Sequence, residues 1–233
     1  MRAPSFLLLL VACSGLCAGQ QNHGYYRFPA IHAGTIVFTS EGDLWSVSAD
    51  GGAARRLTSH PSEETRAAFS PDGNTIAFSA SYEGPNEVYT MPAIGGLPER
   101  RTFDGAGPGW LGWTPAGRLL YSTYAFSGIP NAQLATLDGK DHVSLIPLSQ
   151  AAQGCYDAKG GVLFFTRLPE QGSSTKRYKG GTAQQLWKYV PGREAVPLSA
   201  DYPGTSKDAM WWSGRVYFLS DRDGTMNLWS MDE

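Results

Sequence analysis

Residues Arg66 to Thr102, RAAFSPDGNTIAFSASYEGPNEVYTMPAIGGLPERRT, constrain the fold more than any other part of this chain. They read as four short β-strands in succession. Arg66 to Ser70 is the first. Pro71-Asp72-Gly73-Asn74 turns the chain, because proline presets φ and Asp-Gly tolerates the positive φ of a tight hairpin. Thr75 to Ala80 is the second strand and Glu87 to Met91 the third, both apolar in alternation. Gly95-Gly96 turns into a fourth, Leu97 to Thr102.

The unit recurs. The aromatic of the second strand reappears as Phe38, Phe78, Tyr121, Phe165 and Phe218, in steps of 40, 43, 44 and 53 residues. Aligning the third strand gives Trp45, Tyr89, Leu134, Trp187 and Trp229, with Leu134 the one non-aromatic member. A four-stranded repeat of this period is the signature of a β-propeller blade. The expected fold is therefore all-β: four-stranded antiparallel blades near 25–58, 65–102, 110–148, 154–198 and 210–233. That is about four and a half blades of a ring expected to have six. Completing six would need roughly 50 further residues, and seven roughly 90 to 100. An open ring leaves an apolar blade face and a strand edge without neighbours.

Residues 1–19 read as a secretory signal rather than as part of the fold. Arg2 precedes the apolar run Phe6 to Ala12, and small residues follow to Gly19. That run is too short to span a bilayer. Two processing routes are open. Cleavage near Ala18-Gly19 releases an exported, periplasmic or cell-envelope protein. Leu10-Val11-Ala12-Cys13 resembles a lipobox and would place a lipid anchor on Cys13. After ordinary cleavage only Cys155 remains of three cysteines, which excludes an internal disulfide and a structural zinc site.

Nineteen basic and 21 acidic residues nearly cancel, which argues against a nucleic-acid binder. The sequence has no Gly-x-Ser-x-Gly elbow and no His-Glu-x-x-His motif. His23, His32, His60 and His142 are scattered. The expectation is a chain with no catalytic residue, no metal and no cofactor of its own. Asp221-Arg222-Asp223-Gly224 is a turn, since it lacks the further carboxylates of a calcium loop.

Loop lengths locate a working face. In an up-and-down blade, connections after strands one and three lie on one face of the disc, and those after strands two and four on the other. The first set is short throughout, and the second holds every long connection. The longest, Leu168 to Gln184, reads LPEQGSSTKRYKGGTAQ. Lys176, Arg177, Tyr178 and Lys179, with Arg167 just before, form a candidate ligand-binding cluster. Arginine offers a planar fork to a carboxylate, lysine a point charge and tyrosine a hydroxyl. Only Glu170 opposes them in the loop, and Gly180-Gly181 would let a ligand approach the backbone.

The repeat Phe69-Ser70-Pro71-Asp72-Gly73 followed by Ile76-Ala77-Phe78 resembles the propeller repeats of the periplasmic Tol protein and of tricorn-type peptidases. YYRFPAIHAGTIVFTSEGDLWSV (Tyr25 to Val47), TKRYKGGTAQQLW (Thr175 to Trp187) and DRDGTMNLWSMDE (Asp221 to Glu233) resemble more specifically the first propeller of tricorn protease homologues. The resemblance implies a six-bladed propeller followed by a seven-bladed one and a helical and peptidase region with a catalytic serine and histidine. It also implies a hydrolase of oligopeptides whose propellers gate peptide passage, with oligopeptides or neighbouring domains as partners and homo-oligomers in the full-length protein. No catalytic residue carries over, because the matching region lies outside these residues. The export signal departs from the cytosolic archaeal member. Two alternatives stand: a Tol-like periplasmic protein-binding propeller, and the propeller of another hydrolase.

Overall fold

The computed structural model describes residues 24–128, 131–170 and 177–233. The segment read as a signal, Cys13, His23 and Lys176 lie outside the described residues. The described chain forms five antiparallel sheets in sequence. The first is β1 (Arg27–His32), β2 (Thr35–Ser40), β3 (Asp43–Ser48) and β4 (Arg55–Arg56). The second is β5 (Thr65–Phe69), β6 (Thr75–Ala80), β7 (Glu87–Pro92) and β8 (Glu99–Arg100). The third is β9 (Gly109–Trp113), β10 (Leu119–Thr123), β11 (Gln133–Leu137) and β12 (Val143–Leu145). The fourth is β13 (Gln153–Tyr156), β14 (Leu163–Thr166), β15 (Leu186–Tyr189) and β16 (Val196–Pro197). The fifth is β17 (Ser206–Trp212), β18 (Arg215–Ser220) and β19 (Asn227–Asp232).

The blade count is thereby corrected from about four and a half to five. The fifth blade has three strands, with β18 and β19 paired in register from Arg215 opposite Asp232 to Ser220 opposite Asn227. Its first strand starts four residues before the Met210 that the sequence marked. A bulge at Asp208 and Ala209 hides that start, by breaking the alternation against β18.

The recurring aromatics occupy equivalent sites. Phe38 lies opposite Trp45, Phe78 opposite Tyr89, Phe165 opposite Trp187 and Phe218 opposite Trp229. In blade three Tyr121 lies opposite Ala135, not Leu134, which pairs with Ser122. Register explains the slip. Side chains alternate between faces, so Leu134 packs toward blade four with Leu163 and Phe165, while Ala135 and Tyr121 pack toward blade two. The core thus lies between blades. Phe78 meets Val37 and Leu44 of blade one, and its neighbour Ala77 meets Trp110 and Leu119 of blade three.

The fourth strands are much shorter than the sequence suggests, because a side chain takes over the ladder. In blades one, two and four the hydroxyls of Thr58, Thr102 and Ser199 accept the backbone N–H of Leu44, Val88 and Leu186 at 2.8, 2.8 and 2.9 Å. The adjoining Leu57, Arg101 and Leu198 still donate to the carbonyls of Leu44, Val88 and Leu186.

The Ser-Pro-Asp-Gly-Asn turn is held by its own side chains. Ser70 donates to Asp72 at 2.5 Å, and Asp72 accepts the Asn74 backbone N–H at 3.1 Å. The Ser70 hydroxyl also accepts the Thr75 N–H at 3.0 Å. These donors pull the Asp72 carboxyl down to about 2, so their contribution is present above the ordinary 3.8 and is lost as pH falls toward 2. Gly73 takes φ 74°, and a Cβ there would collide with the His32 ring of blade one.

One buried carboxyl joins blades one and two. Glu64 accepts from Tyr82 at 2.6 Å and Thr58 at 2.8 Å. Burial pushes its carboxyl above the usual 4.5, against those two hydrogen bonds. The native state therefore binds more protons than the unfolded chain above pH 4.5, and this contribution to stability declines as pH rises through the raised value. Glu64→Gln cannot titrate. Its melting temperature is expected to fall furthest below the parent's near pH 4.5 and to approach it as pH rises. A difference that grows with pH instead would contradict the assignment.

Candidate binding face and family

The long connections lie where the sequence places them, after second and fourth strands, and the first strands begin on that same face. Each basic residue of the described cluster is already engaged. Arg167, just past β14, donates to Gln150 at 2.6 Å and stands 5.3 Å from the Trp187 ring. Arg177 donates to the Gly224 carbonyl at 2.9 Å, bridging the long connection to blade five. Lys179 stands 5.8 Å from the Tyr202 ring, which Arg222 also covers. The Tyr178 hydroxyl accepts from Thr182 at 3.1 Å.

These contacts split the cluster in two. Arg177 and Lys179 reach toward blade five. Arg167 instead lines a cavity of about 240 Å³ with Leu168, Gly180, Gly181, Ala183 and Trp187. Glu170 pairs with Lys207 of β17 rather than with the cluster. Among the described residues, none of these contacts of Arg167, Arg177 or Lys179 goes to a carboxylate. Gly180 makes room for the Tyr178 ring, which folds back over it, while Gly181 faces open space.

A second feature of this face was not legible in the sequence. The first strands ring the axis, and three of them carry a non-glycine residue in the left-handed region near their start: Phe28 (φ 50°), Arg66 (φ 56°) and Asp208 (φ 52°). All three sit in bulges opposite the recurring aromatics Phe38, Phe78 and Phe218 of their second strands. Such a residue costs on the order of 1–3 kcal/mol and persists where the surroundings over-determine it. The bulges aim Arg66 and Asp208, with Gln153, into an axial cavity of about 190 Å³. Lys207 beside it reaches Asp208 at 3.7 Å. No composition or spacing cue marks a left-handed arginine or aspartate, so only the folded chain reveals this charged mouth.

Cys155 on β13 is half-buried, and its surroundings push the thiol up to about 12. At neutral pH it is a protonated, inert packing group. Among the described residues, no group of three His, Cys, Asp or Glu side chains could hold a metal ion.

Residues 23–233 match the family described as the tricorn protease N-terminal beta propeller domain. The chain belongs to that family. It is 34% identical over 213 residues to tricorn protease homolog 1 of Streptomyces coelicolor, covering 88% of this chain and 20% of that protein. Against tricorn protease of Thermoplasma acidophilum it is 26% identical over 214 residues, covering 88% of this chain and 20% of that one. The crystal structure of the tricorn protease superposes with a TM-score of 0.79 at 23% identity, over 90% of this chain and 21% of that chain. TolB from Acinetobacter baumannii superposes at 0.63 with 19% identity, over 90% and 55%. At those identities the two structures speak for the fold alone. The chain spans about one fifth of the length of these two tricorn relatives.

Proposed function

We propose that this chain is the non-catalytic propeller region of a secreted tricorn-like serine peptidase acting on oligopeptides, and that it gates or positions peptides for a peptidase region elsewhere in the protein. The observation that carries this reading is the family match over the whole described propeller. Two features support the finer points. Residues 1–19 have the charged start, apolar run and small-residue exit of an export signal. Among the described residues, Tyr26 against blade one and Trp212 and Leu228 of blade five stay more than half exposed, as expected where one further blade closes a six-bladed ring.

The basic cluster of the long-loop face is the proposed contact for a carboxylate, from a peptide or from an acidic residue of a neighbouring domain. The test is the triple change of Lys176, Arg177 and Lys179 to Ala in the full-length protein. Exposed pairs contribute about 0–1 kcal/mol each, so three together should lower peptide turnover roughly three- to tenfold at low salt and less at high salt. Unchanged turnover and unchanged domain assembly at both salt levels would remove the cluster from the mechanism. A full-length protein that cleaves no oligopeptide would overturn the peptidase reading itself.

A further inference from the structure

The opposite, short-turn face holds two adjoining cavities that point to a separate binding site. One, of about 470 Å³, opens at the axis and is walled by Phe69, Trp113, Tyr156 and Trp211, with Ile31 and His32 from β1. Its apolar members share one register position. Ile31 pairs with Ile36, Phe69 with Ile76, Trp113 with Leu119, Tyr156 with Leu163 and Trp211 with Val216. The repeat therefore builds a collar at the end of every first strand. The signal is visible in retrospect, as an aromatic immediately before the first turn in blades two to four. The second cavity, of about 490 Å³, lies between blades three and four and is lined by Arg118, Lys159, Tyr156, Tyr189 and three prolines. Tyr156, Thr114 and Pro115 wall both cavities, so the two join at a shared edge.

The two ends differ in chemistry. In the cup most polar side-chain atoms are already committed. The Trp113 indole donates to the Ala68 carbonyl at 3.0 Å, the Trp211 indole to Glu233 at 2.5 Å, and Ser70 to Asp72. What remains for a ligand is chiefly the faces and edges of rings, with the His32 imidazole and the Tyr156 hydroxyl at the wall. At the outer end the cations are less committed. Lys159 is exposed with no ion-pair partner among the described residues, and Arg118 has only Asp138, at 3.7 Å. That separation is too long for a hydrogen bond.

We propose that this groove binds an extended peptide segment, with a bulky apolar side chain in the cup and an acidic side chain a few residues away between Arg118 and Lys159. A small anion would leave the cup empty, and a purely apolar ligand would leave the cations unused. Tyrosine and proline walls suit an extended chain, which loses little further entropy on docking. The choice of a peptide as ligand rests on the oligopeptide reading above.

The probes are two fluorescein-labelled, C-terminally amidated peptides, Trp-Ala-Pro-Asp and its reverse, measured by anisotropy on the full-length protein. At least one is expected to bind. Asn in place of Asp should weaken it about fivefold, and Lys159→Glu about tenfold with loss of salt dependence, while Lys159→Arg retains binding. Lys159 sits in an exposed turn, so both variants should melt with the parent. If neither peptide binds, or if the Asn peptide or Lys159→Glu matches the parent, the groove is not a peptide site. Turnover of an unlabelled neutral oligopeptide is followed in parallel. Turnover with Lys159-independent binding sinks the groove alone, and Lys159-dependent binding without turnover sinks the peptidase reading alone.

Discussion

Replacing Glu87 with alanine is expected to cost about 3–5 kcal/mol, the range seen when one partner of a buried ion pair is removed. Glu87 opens β7 and is fully buried. One carboxylate oxygen accepts from Arg100 at 2.9 Å and from the Gly105 backbone N–H at 3.0 Å. The other accepts from Thr102 at 2.5 Å, and Thr102 in turn accepts the Val88 N–H. Alanine would strand three donors at once, at the point where the short fourth strand hands its ladder to a side chain. For a domain of this size the loss corresponds to a fall in melting temperature of roughly 6–20 °C. Glu87→Gln keeps an acceptor and should fall between. Asp141→Ala is the control. Asp141 accepts from Arg101 at 2.6 Å but is 66% exposed, so its loss should stay within about 1 kcal/mol. Calorimetry or urea midpoints would decide. Equal effects of the two alanine changes would mean that the Glu87 network does not hold the blade edge.

Residues 24–233 produced alone should self-associate and bind a hydrophobic dye. Phe78 packs toward blade one, so its counterpart Phe38 points to the side of blade one that has no described neighbour, where Tyr26 meets it edge-on at 5.2 Å. Tyr26 itself is 63% exposed. In blade five, Phe218 is buried, whereas Trp212 and Leu228 on the opposite side are 68% and 61% exposed. The outer edge of β19 pairs with no strand among the described residues. Large apolar faces and a bare edge together are the usual precursors of association. Trp212→Lys with Leu228→Lys should suppress both association and dye binding with little change in melting temperature, because both side chains are mostly exposed and Trp212 meets the Tyr217 ring at 6.3 Å between centroids. A monodisperse, dye-silent parent in sedimentation at micromolar concentration would show that these faces are not sticky.

How far residues alone could carry these conclusions differs by element. The blade was legible because its determinants are local. Asp72 and Gly73 make their turn from neighbours within the same few residues, and alternation along Thr75 to Ala80 needs no partner to be read. The recurrence of Phe38, Phe78, Tyr121, Phe165 and Phe218 then revealed a ring, since a blade buries both faces only against other blades. Register was legible only where aromatic spacing was unambiguous. Leu134 looked like the third-strand member by size, and only the ladder showed Ala135 opposite Tyr121.

The sites were much less legible, because they are assembled from positions far apart in the chain. Lys176 to Lys179 stood out as a charge run, yet the fold turns Arg177 and Lys179 toward blade five and leaves Arg167 in a different cavity. Glu170, the apparent counter-charge, is claimed by Lys207 from the next blade. The charged axial mouth depends on left-handed backbone at Arg66 and Asp208, which intrinsic preference disfavours and only tertiary packing can enforce. Sequence by itself determined the repeat, its turns, its alternating faces and the family. Tertiary structure decided which side chains meet across blades, because those meetings depend on how neighbouring blades stack and on register, and neither is encoded in any single window of residues.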